Sequence, residues 1–494
     1  MSRPATSESE SEAPYDAAIP LCVDLDGTLV LTDILHESLL HICHRPLALL
    51  RAAVSLLSGK AAMKERLAGS VRIEPSILPY REELMAFLDE QRRRGRRLLL
   101  VTATHRSIAD SIARHLGIFS GIMATDGRTN LSGQAKKDAL VAAFGEGGYD
   151  YIGDSHRDIK SFASARLSYL ADPSRSLAKK ARAKARVAGI FRRKRNAILI
   201  AARCVRAHQW TKNILLAVPL VAAHRLLDGE ALLKLCLAFA CFSFQASATY
   251  IINDLHDLSA DRLHPEKRFR PLAHGDISIP AGIALALALS ASAIALAISF
   301  LPIAFSYALV AYTAITLAYS FDLKKRLIVD ALVLALLYTA RIIAGAIAIS
   351  VKASEWLLIF SLFFFLSLAL LKRFIELEDS AKEKLSGRGY AATDIEVILS
   401  IGPTAGLLSV LVLALYIASP SVQILYRTPE VLWLLCPLLI YWITRIWFLA
   451  KRGMVHHDPI VFAVMDARSY VVAAVFAILL LMATLDLRRL LERP

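Results

Sequence analysis

Between Ile277 and Phe321 the chain carries no charged side chain. A stretch of that length accommodates two membrane spans of about 20 residues each, with a break near Pro302. A soluble core helix seldom needs so long an uncharged run. Similar apolar runs dominate from about Ile214 onward, whereas up to about Gly189 charged and apolar residues alternate as in a soluble domain. At 494 residues the chain exceeds what one hydrophobic core serves, and the change of composition divides it.

The apolar half reads as about nine helical spans, near 210–225, 231–252, 279–300, 303–321, 327–350, 355–371, 396–418, 430–449 and 469–486. The first is short and contains Pro219. If the N-terminus is cytosolic, the inner loops carry Arg262, Lys267, Arg268, Arg270, Lys324, Lys325, Arg326, Lys372, Arg373, Lys382, Lys384, Arg388, Lys451 and Arg452. The outer loops then carry only Arg225, Lys352 and Arg427, which fits the excess of cations on cytoplasmic loops. Nine spans leave Arg488, Arg489 and Arg493 outside, against that trend. Met1 to Pro20 is polar and acidic with no secretory signal, so the expectation is a multi-pass protein of an inner or plasma membrane with a cytosolic N-terminal domain.

The formal net charge is +15, but its placement argues for a membrane surface over nucleic acid. No acidic residue occurs between Asp172 and Asp228, and Arg175, Lys179, Lys180, Arg182, Lys184, Arg186, Arg192, Arg193, Lys194 and Arg195 form a basic run. No nucleic-acid motif accompanies it. The six cysteines show no C-x-x-C spacing and read as buried thiols. The expected organisation is a disordered leader over 1–18, an α/β domain over 19–174, a polybasic linker over 175–206 and an all-α multi-pass membrane domain over 207–494.

In the first domain, short apolar runs at Ile19–Val23, Leu98–Val101 and Tyr149–Ile152 alternate with helical segments such as Arg81–Arg94. That pattern predicts a parallel α/β sheet with function at the carboxyl ends of its strands. Asp24-Leu25-Asp26-Gly27-Thr28-Leu29 directly follows the first strand and resembles the D-x-D-G-T of the haloacid dehalogenase (HAD) superfamily of phosphatases. By this resemblance the domain is a HAD-like Rossmannoid fold in which Asp24 attacks phosphorus and Asp26 serves as general acid and base. Gly27 would let the backbone turn beneath the phosphate. Further signals follow in the family's order. Thr102 closes the second strand where the family binds the phosphoryl group. Lys136 matches the neutralising lysine, with adjacent Lys137 as a substitute. Asp154 and Asp158, in Gly153-Asp154-Ser155 and beyond, match the acidic magnesium motif. The resemblance implies Mg2+ held by Asp24, Asp26, Asp154 and Asp158. Residues 33 to 75 are expected to form a small helical cap. A catalytically dead scaffold is the alternative.

In the second domain, Asn253-Asp254-Leu255-His256-Asp257-Leu258-Ser259-Ala260-Asp261 ends the second span. Acids at i, i+3 and i+7 fall on one helix face, so Asp254, Asp257 and Asp261 can converge on the same cations. Acids clustered at a membrane surface need compensation, and magnesium bridging to a diphosphate supplies it. This N-D-x-x-D-x-x-x-D resembles the first aspartate motif of the UbiA superfamily of intramembrane transferases, over roughly 200 to 490. The following Arg262 to Ala273, together with Gln209 to Asn213, Tyr319-Ser320, Leu323-Lys324, Asp330, Lys372-Arg373, Glu376 and Asp458-Pro459, is similar to the decaprenyl-phosphate phosphoribosyltransferase branch. A second D-x-x-x-D motif, usual in aromatic prenyltransferases of the superfamily, has no match beyond Asp379 and Glu383.

The resemblance implies transfer of 5-phosphoribose from phosphoribosyl diphosphate to a polyprenyl phosphate, with phosphatase action on the lipid-linked product as a second expectation. Such a donor calls for a metal site and several cations or polar groups. The candidates are Lys212, Asn213, Asn253, Lys267, Arg268, Arg270, Tyr319, Lys324, Lys372 and Arg373. Asp330 and Arg341 lie in the apolar stretch Leu327–Val351, three turns apart, and are expected to line a site. Transfer from a prenyl diphosphate to an aromatic acceptor, and a non-enzymatic membrane scaffold, are the alternatives. Lipid length and oligomeric state are not fixed by the sequence.

Overall fold

The computed structural model describes residues 16–43, 45–193, 196–379, 389–455 and 459–485. Most of the expected leader, and the expectations placed on Lys194, Arg195, Lys382, Glu383, Lys384, Arg388, Asp458, Arg488, Arg489 and Arg493, lie outside the described residues. The chain divides into two compact units, one of Met1–Val205 with Tyr250–Ala286, the other of Arg206–Thr249 with Leu287–Pro494.

The first unit is built on six parallel strands, β1 (Leu21–Val23), β2 (Leu98–His105), β3 (Gly121–Thr125), β4 (Asp150–Gly153), β5 (Ser168–Ala171) and β6 (Val187–Phe191), in the order β3-β2-β1-β4-β5-β6. The central β1 is wholly buried and pairs Leu21 with both Leu98 and Asp150. Side chains alternate across the sheet, as the period of 2 requires. Leu21, Val23, Leu98 and Leu100 enter one core, while Cys22, Leu99 and Val101 enter the other with Tyr149, Tyr151 and Phe162. Helices α1 (Ile34–Ile42), α2 (Pro46–Ser55) and α3 (Lys60–Ser70) follow β1 as the expected helical cap and share a cluster of Ile42, Ala52 and Leu67. Helices α4 (Glu82–Arg93), α5 (Arg106–Leu116), α6 (Gln134–Phe144) and α7 (Ile159–Ser164) connect the later strands.

The basic run expected to be a linker is in part folded. Arg175–Lys184 forms helix α8 and Val187–Phe191 is the sixth strand, so the α/β fold extends beyond residue 174. Leu177, Ala178 and Ala181 make a buried stripe under exposed Lys179, Lys180 and Arg182, and the density of cations hid that apolar face. Beyond it lie α9 (Ala197–Val205), α10 (Val218–Ala222), α11 (Gly229–His256) and α12 (Leu258–Leu263).

The remaining helices are α13 (Ile279–Phe300), α14 (Ile303–Phe321), α15 (Val329–Ala348), α16 (Glu355–Asp379), α17 (Ile395–Ala418), α18 (Pro420–Leu425), α19 (Leu435–Lys451), α20 (Pro459–Met465) and α21 (Ala467–Thr484). Among the described residues, 8 helices are long and apolar enough to cross a membrane, and they fall on eight of the nine expected spans. The exception is the first. Ala207–Ala217 is a 3-10 segment, and Pro219 is the second residue of the short α10, within the first turn that proline tolerates. In the second unit, Tyr338 stacks on Phe365 at 4.9 Å beside Trp442 and Trp447, and Phe242 meets Tyr312 at 4.9 Å. The expectation of six buried thiols holds for Cys22, Cys204 and Cys241, whereas Cys43 and Cys236 are exposed.

Candidate functional site

The carboxyl ends of β1 and β4 are neighbours in the sheet, so the residues that follow them meet. Asp24 and Asp26 follow β1; Asp154 and Asp158 follow β4. Gly27 adopts φ +71°, and a side chain there would collide with the Asp154 carboxylate, so glycine is what admits this close approach. The Lys136 ammonium donates to Asp24 Oδ1 at 2.9 Å, to Asp158 Oδ1 at 3.3 Å and to the Tyr151 hydroxyl at 3.0 Å. Lys137 instead pairs with Glu146 at 3.5 Å near the surface, so of the two expected lysines the structure brings Lys136 to the acids. Oxygens of Asp24, Asp154 and Asp158 lie within 4.8 Å of one another, an all-oxygen donor set suited to a hard divalent cation.

Among the described residues, the side-chain oxygens of Asp26, the fourth residue expected at the metal, are not part of that set. Its oxygens are taken by other donors: the Ile34 N–H at 2.8 Å, the Thr104 hydroxyl at 2.8 Å and the Thr102 hydroxyl at 3.4 Å. Thr102 is buried and accepts the Thr104 N–H at 3.0 Å. Thr104 was missed in the sequence. The signal was present, since hydroxyls at i and i+2 of a strand lie on one side. Lys64 was also missed: from α3 its ammonium reaches the Ala103 carbonyl at 2.6 Å and Asn130 Oδ1 at 2.9 Å, a long-range placement that no local pattern announces.

Electrostatically the pocket is short of cations. Burial pushes the Asp24 carboxyl well above the usual carboxylate range, with Asp158, Asp154 and Asp26 adding to the rise and Lys136 opposing it. Burial, then Asp158 and Asp26, push Asp154 up to about 7. Asp26 is raised by burial and by Asp33. Asp158 is held low despite its burial, through Lys136, Ser155 and Tyr151. Burial lowers Lys64, against the pull of Asp26 and Asp33. A carboxyl kept protonated more readily than usual is what a general acid requires, and mutually repelling acids are what a divalent cation relieves.

The second acidic group is held differently. Helix α11 stops at His256, and Asp257 caps α12, so the acids do not share one continuous face. One nitrogen of Arg270 bridges Asp254 at 3.1 Å and Asp261 at 2.5 Å. Asp257 accepts from the Asn253 amide at 3.1 Å. Among the described residues, the three acids do not gather within 4.8 Å as Asp24, Asp154 and Asp158 do; the helix break separates Asp257, and a guanidinium stands between the other two. Lys267 and Arg268 are exposed, with Arg268 over the Phe269 ring at 4.8 Å.

In the second unit, the expected polar residues form two buried networks. The Arg341 guanidinium donates to Asn213 Oδ1 at 3.0 Å, the Leu337 carbonyl at 2.7 Å and the Tyr312 hydroxyl at 2.6 Å, and Asn213 donates to Ser243 at 3.1 Å. Asp330, fully buried, pairs with Arg373 at 2.5 Å and accepts the Tyr319 hydroxyl at 2.8 Å; Arg373 also pairs with Glu376. Asp330 and Arg341 are thus each engaged by other helices, as three turns of separation on α15 requires. Lys212, Lys324 and Lys372 are half-buried.

A Rossmann-type sheet with an aspartate pair at its switch point, followed by a bundle of apolar helices with acids and arginines at helix ends, defines a membrane transferase joined to a hydrolase-like domain. Residues 214–467 match the UbiA prenyltransferase family, and residues 21–163 match the haloacid dehalogenase-like hydrolases. The chain belongs to the UbiA prenyltransferase family, carries an N-terminal haloacid dehalogenase-like domain and is an integral membrane protein. It is 39% identical over 477 residues to the uncharacterised protein y4nM of Sinorhizobium fredii, covering 95% of this chain and 92% of that one. It is 35% identical over 274 residues to the nodulation protein NoeC of Azorhizobium caulinodans, covering 54% of this chain and 87% of that one. It is also 35% identical over 215 residues to the decaprenyl-phosphate phosphoribosyltransferase of Mycobacterium tuberculosis, covering 41% of this chain and 70% of that one.

Proposed function

We propose that this protein transfers 5-phosphoribose from phosphoribosyl diphosphate to a polyprenyl phosphate on the cytosolic side of the membrane, and that its hydrolase-like domain then removes the 5-phosphate from the lipid-linked product. The observation that carries the reading is the 35% identity over 215 residues to a protein named decaprenyl-phosphate phosphoribosyltransferase, combined with the phosphatase-type site on the same chain.

In the transfer step the bond from ribose C1 to the diphosphate breaks and its electron pair leaves with the diphosphate. A lipid phosphate oxygen forms the new bond to C1. Asp254, Asp257 and Asp261, with Asn253 beside them, would supply carboxylates to Mg2+ at the diphosphate, the pairing of Arg270 with Asp254 and Asp261 giving way to the cation. Arg270, Lys267, Arg268, Lys212, Asn213, Lys324, Lys372, Arg373, Tyr319, Asp330 and Arg341 are the groups proposed to receive or orient the phosphates. In the second step Asp24 attacks the 5-phosphate, Asp26 protonates the departing C5 oxygen, and water then hydrolyses the aspartyl-phosphate with Asp26 taking its proton. Thr102 and Lys136 would hold the phosphoryl group, and Asp24, Asp154 and Asp158 would hold Mg2+. Bound there, the cation would offset the repulsion between the attacking carboxylate and an anionic phosphate.

The test is transfer of radiolabel from phosphoribosyl diphosphate into a lipid extract of membranes supplied with polyprenyl phosphate, comparing wild type with Asp254→Asn, with and without Mg2+. Metal-dependent labelling lost in the variant is expected. Failure of well-expressed wild type to label lipid, with labelling from a prenyl diphosphate onto an aromatic acceptor instead, would replace this reading with aromatic prenyl transfer.

A further inference from the structure

Within the first unit, the segment that carries Asp254 and Asp261 is fastened to the hydrolase-like fold at three places. The Glu37 carboxylate, 1% exposed, takes the Arg262 guanidinium through two bonds, at 2.6 Å and 3.2 Å. Arg262 also donates from Nε to the Ala273 carbonyl at 3.1 Å, which fixes the loop between them. Gly275, at φ +74°, lies so close to Leu31 that an added Cβ would sit 2.7 Å from the Leu31 Cβ, so this contact requires glycine. Arg193, just past β6, holds the same loop from a third side, through Asp276 at 2.5 Å and the Gly275 carbonyl at 3.1 Å.

These contacts are specific in their placement. Ile34, the first residue of α1, donates its N–H to Asp26, and Glu37 is one turn along the same helix, a rise of about 4.5 Å. Arg262 directly follows Asp261, which Arg270 ties to Asp254. A single turn of α1 therefore joins the general-acid candidate of one site to the acidic segment of the other. A buried bidentate ion pair is an expensive way to hold two surfaces unless their relative position matters, because both charges lose their water.

We propose that the Glu37–Arg262 pair is a positioning clamp that sets the phosphatase site beside the acidic segment, so that the lipid-linked sugar phosphate made there is the substrate stripped by the same chain. This rests on the proposed function above. Neither residue touches the reacting atoms; the pair acts through α1 and through the loop that it fixes.

The experiment uses the full-length protein in membranes. It follows loss of the 5-phosphate from lipid product that the chain has itself made, and in parallel the hydrolysis of p-nitrophenyl phosphate. For Glu37→Gln the expected result is at least about a tenfold slower stripping of the lipid product, with p-nitrophenyl phosphate hydrolysis within about twofold of wild type. The reversed pair, Glu37→Arg with Arg262→Glu, should recover a substantial part of the lipid reaction. Equal loss of both reactions without recovery in the reversed pair, or lipid stripping at the wild-type rate in Glu37→Gln, would overturn the clamp. Wild type that labels no lipid would instead overturn the proposed function.

Discussion

Asp24, Asp154 and Asp158 hang from the ends of two paired strands, whereas Asp254, Asp257 and Asp261 come from one stretch of chain broken between two helices. The sheet brings carboxylate oxygens of residues about 130 positions apart within 4.8 Å of one another and fixes them through backbone registry. The helical stretch relies on continuity of a single helix, and that continuity ends at His256. In the first group an ammonium pairs with two of the acids, yet only Asp158 is held low while Asp24 and Asp154 stay raised; in the second a guanidinium bridges two acids directly. Acids gathered by strand ends are thus placed before any ligand arrives, while acids gathered by a helix end depend on the loop that follows, here Arg262 to Asp276.

The largest expected effects separate the two sites. Asp24→Asn removes the nucleophile and should lower phosphate-ester hydrolysis on the order of 10^4-fold or more, while lipid labelling from phosphoribosyl diphosphate continues. Asp254→Asn should do the reverse. Assays of both reactions on each variant check this, and a variant that silences both reactions would show that the two acidic groups do not work independently.

A smaller effect sharpens the electrostatic side of the comparison. Lys136→Met leaves Asp24 and Asp158 buried without their shared cation, an expected loss of about 3–5 kcal/mol together with loss of hydrolysis. Lys137→Met removes a surface pair and should cost less than about 1 kcal/mol. Thermal unfolding of the purified full chain measures both, and similar losses in the two variants would contradict the assignment of Lys136.

The smallest effect concerns Asp26. Thr104→Val deletes the hydroxyl that donates to it at 2.8 Å, and roughly a tenfold fall in hydrolysis is expected from losing one hydrogen bond to a charged group. Steady-state kinetics should place that fall in kcat. Unchanged kcat would show that the contact is structural only.

The same contrast explains what could be read from the residues. Asp24, Thr102 and Asp154 were legible because each follows or closes a short apolar run, and strand ends converge whatever the loops between them do, whereas Lys136, on α6, was legible only through the family resemblance. Eight spans were legible from unbroken apolar runs, whereas Ala207–Ala217 took a tighter 3-10 path that mean hydropathy does not distinguish. The fold of Arg175–Phe191 was obscured because its apolar stripe is only three residues wide under a dense basic surface. Lys64, Glu37 and Arg262 were illegible as partners, since their contacts join residues 39 to 225 positions apart with no shared periodicity.

The central claim is that one lipid passes through both sites. Phosphoribosyl diphosphate carrying 14C in ribose and 32P in the 5-phosphate tests it directly in membranes supplied with polyprenyl phosphate. The account predicts that wild type yields lipid retaining 14C while 32P appears as inorganic phosphate, that Asp24→Asn yields lipid retaining both labels, and that Asp254→Asn yields none. Lipid from wild type that keeps both labels in the same ratio as the donor would contradict it.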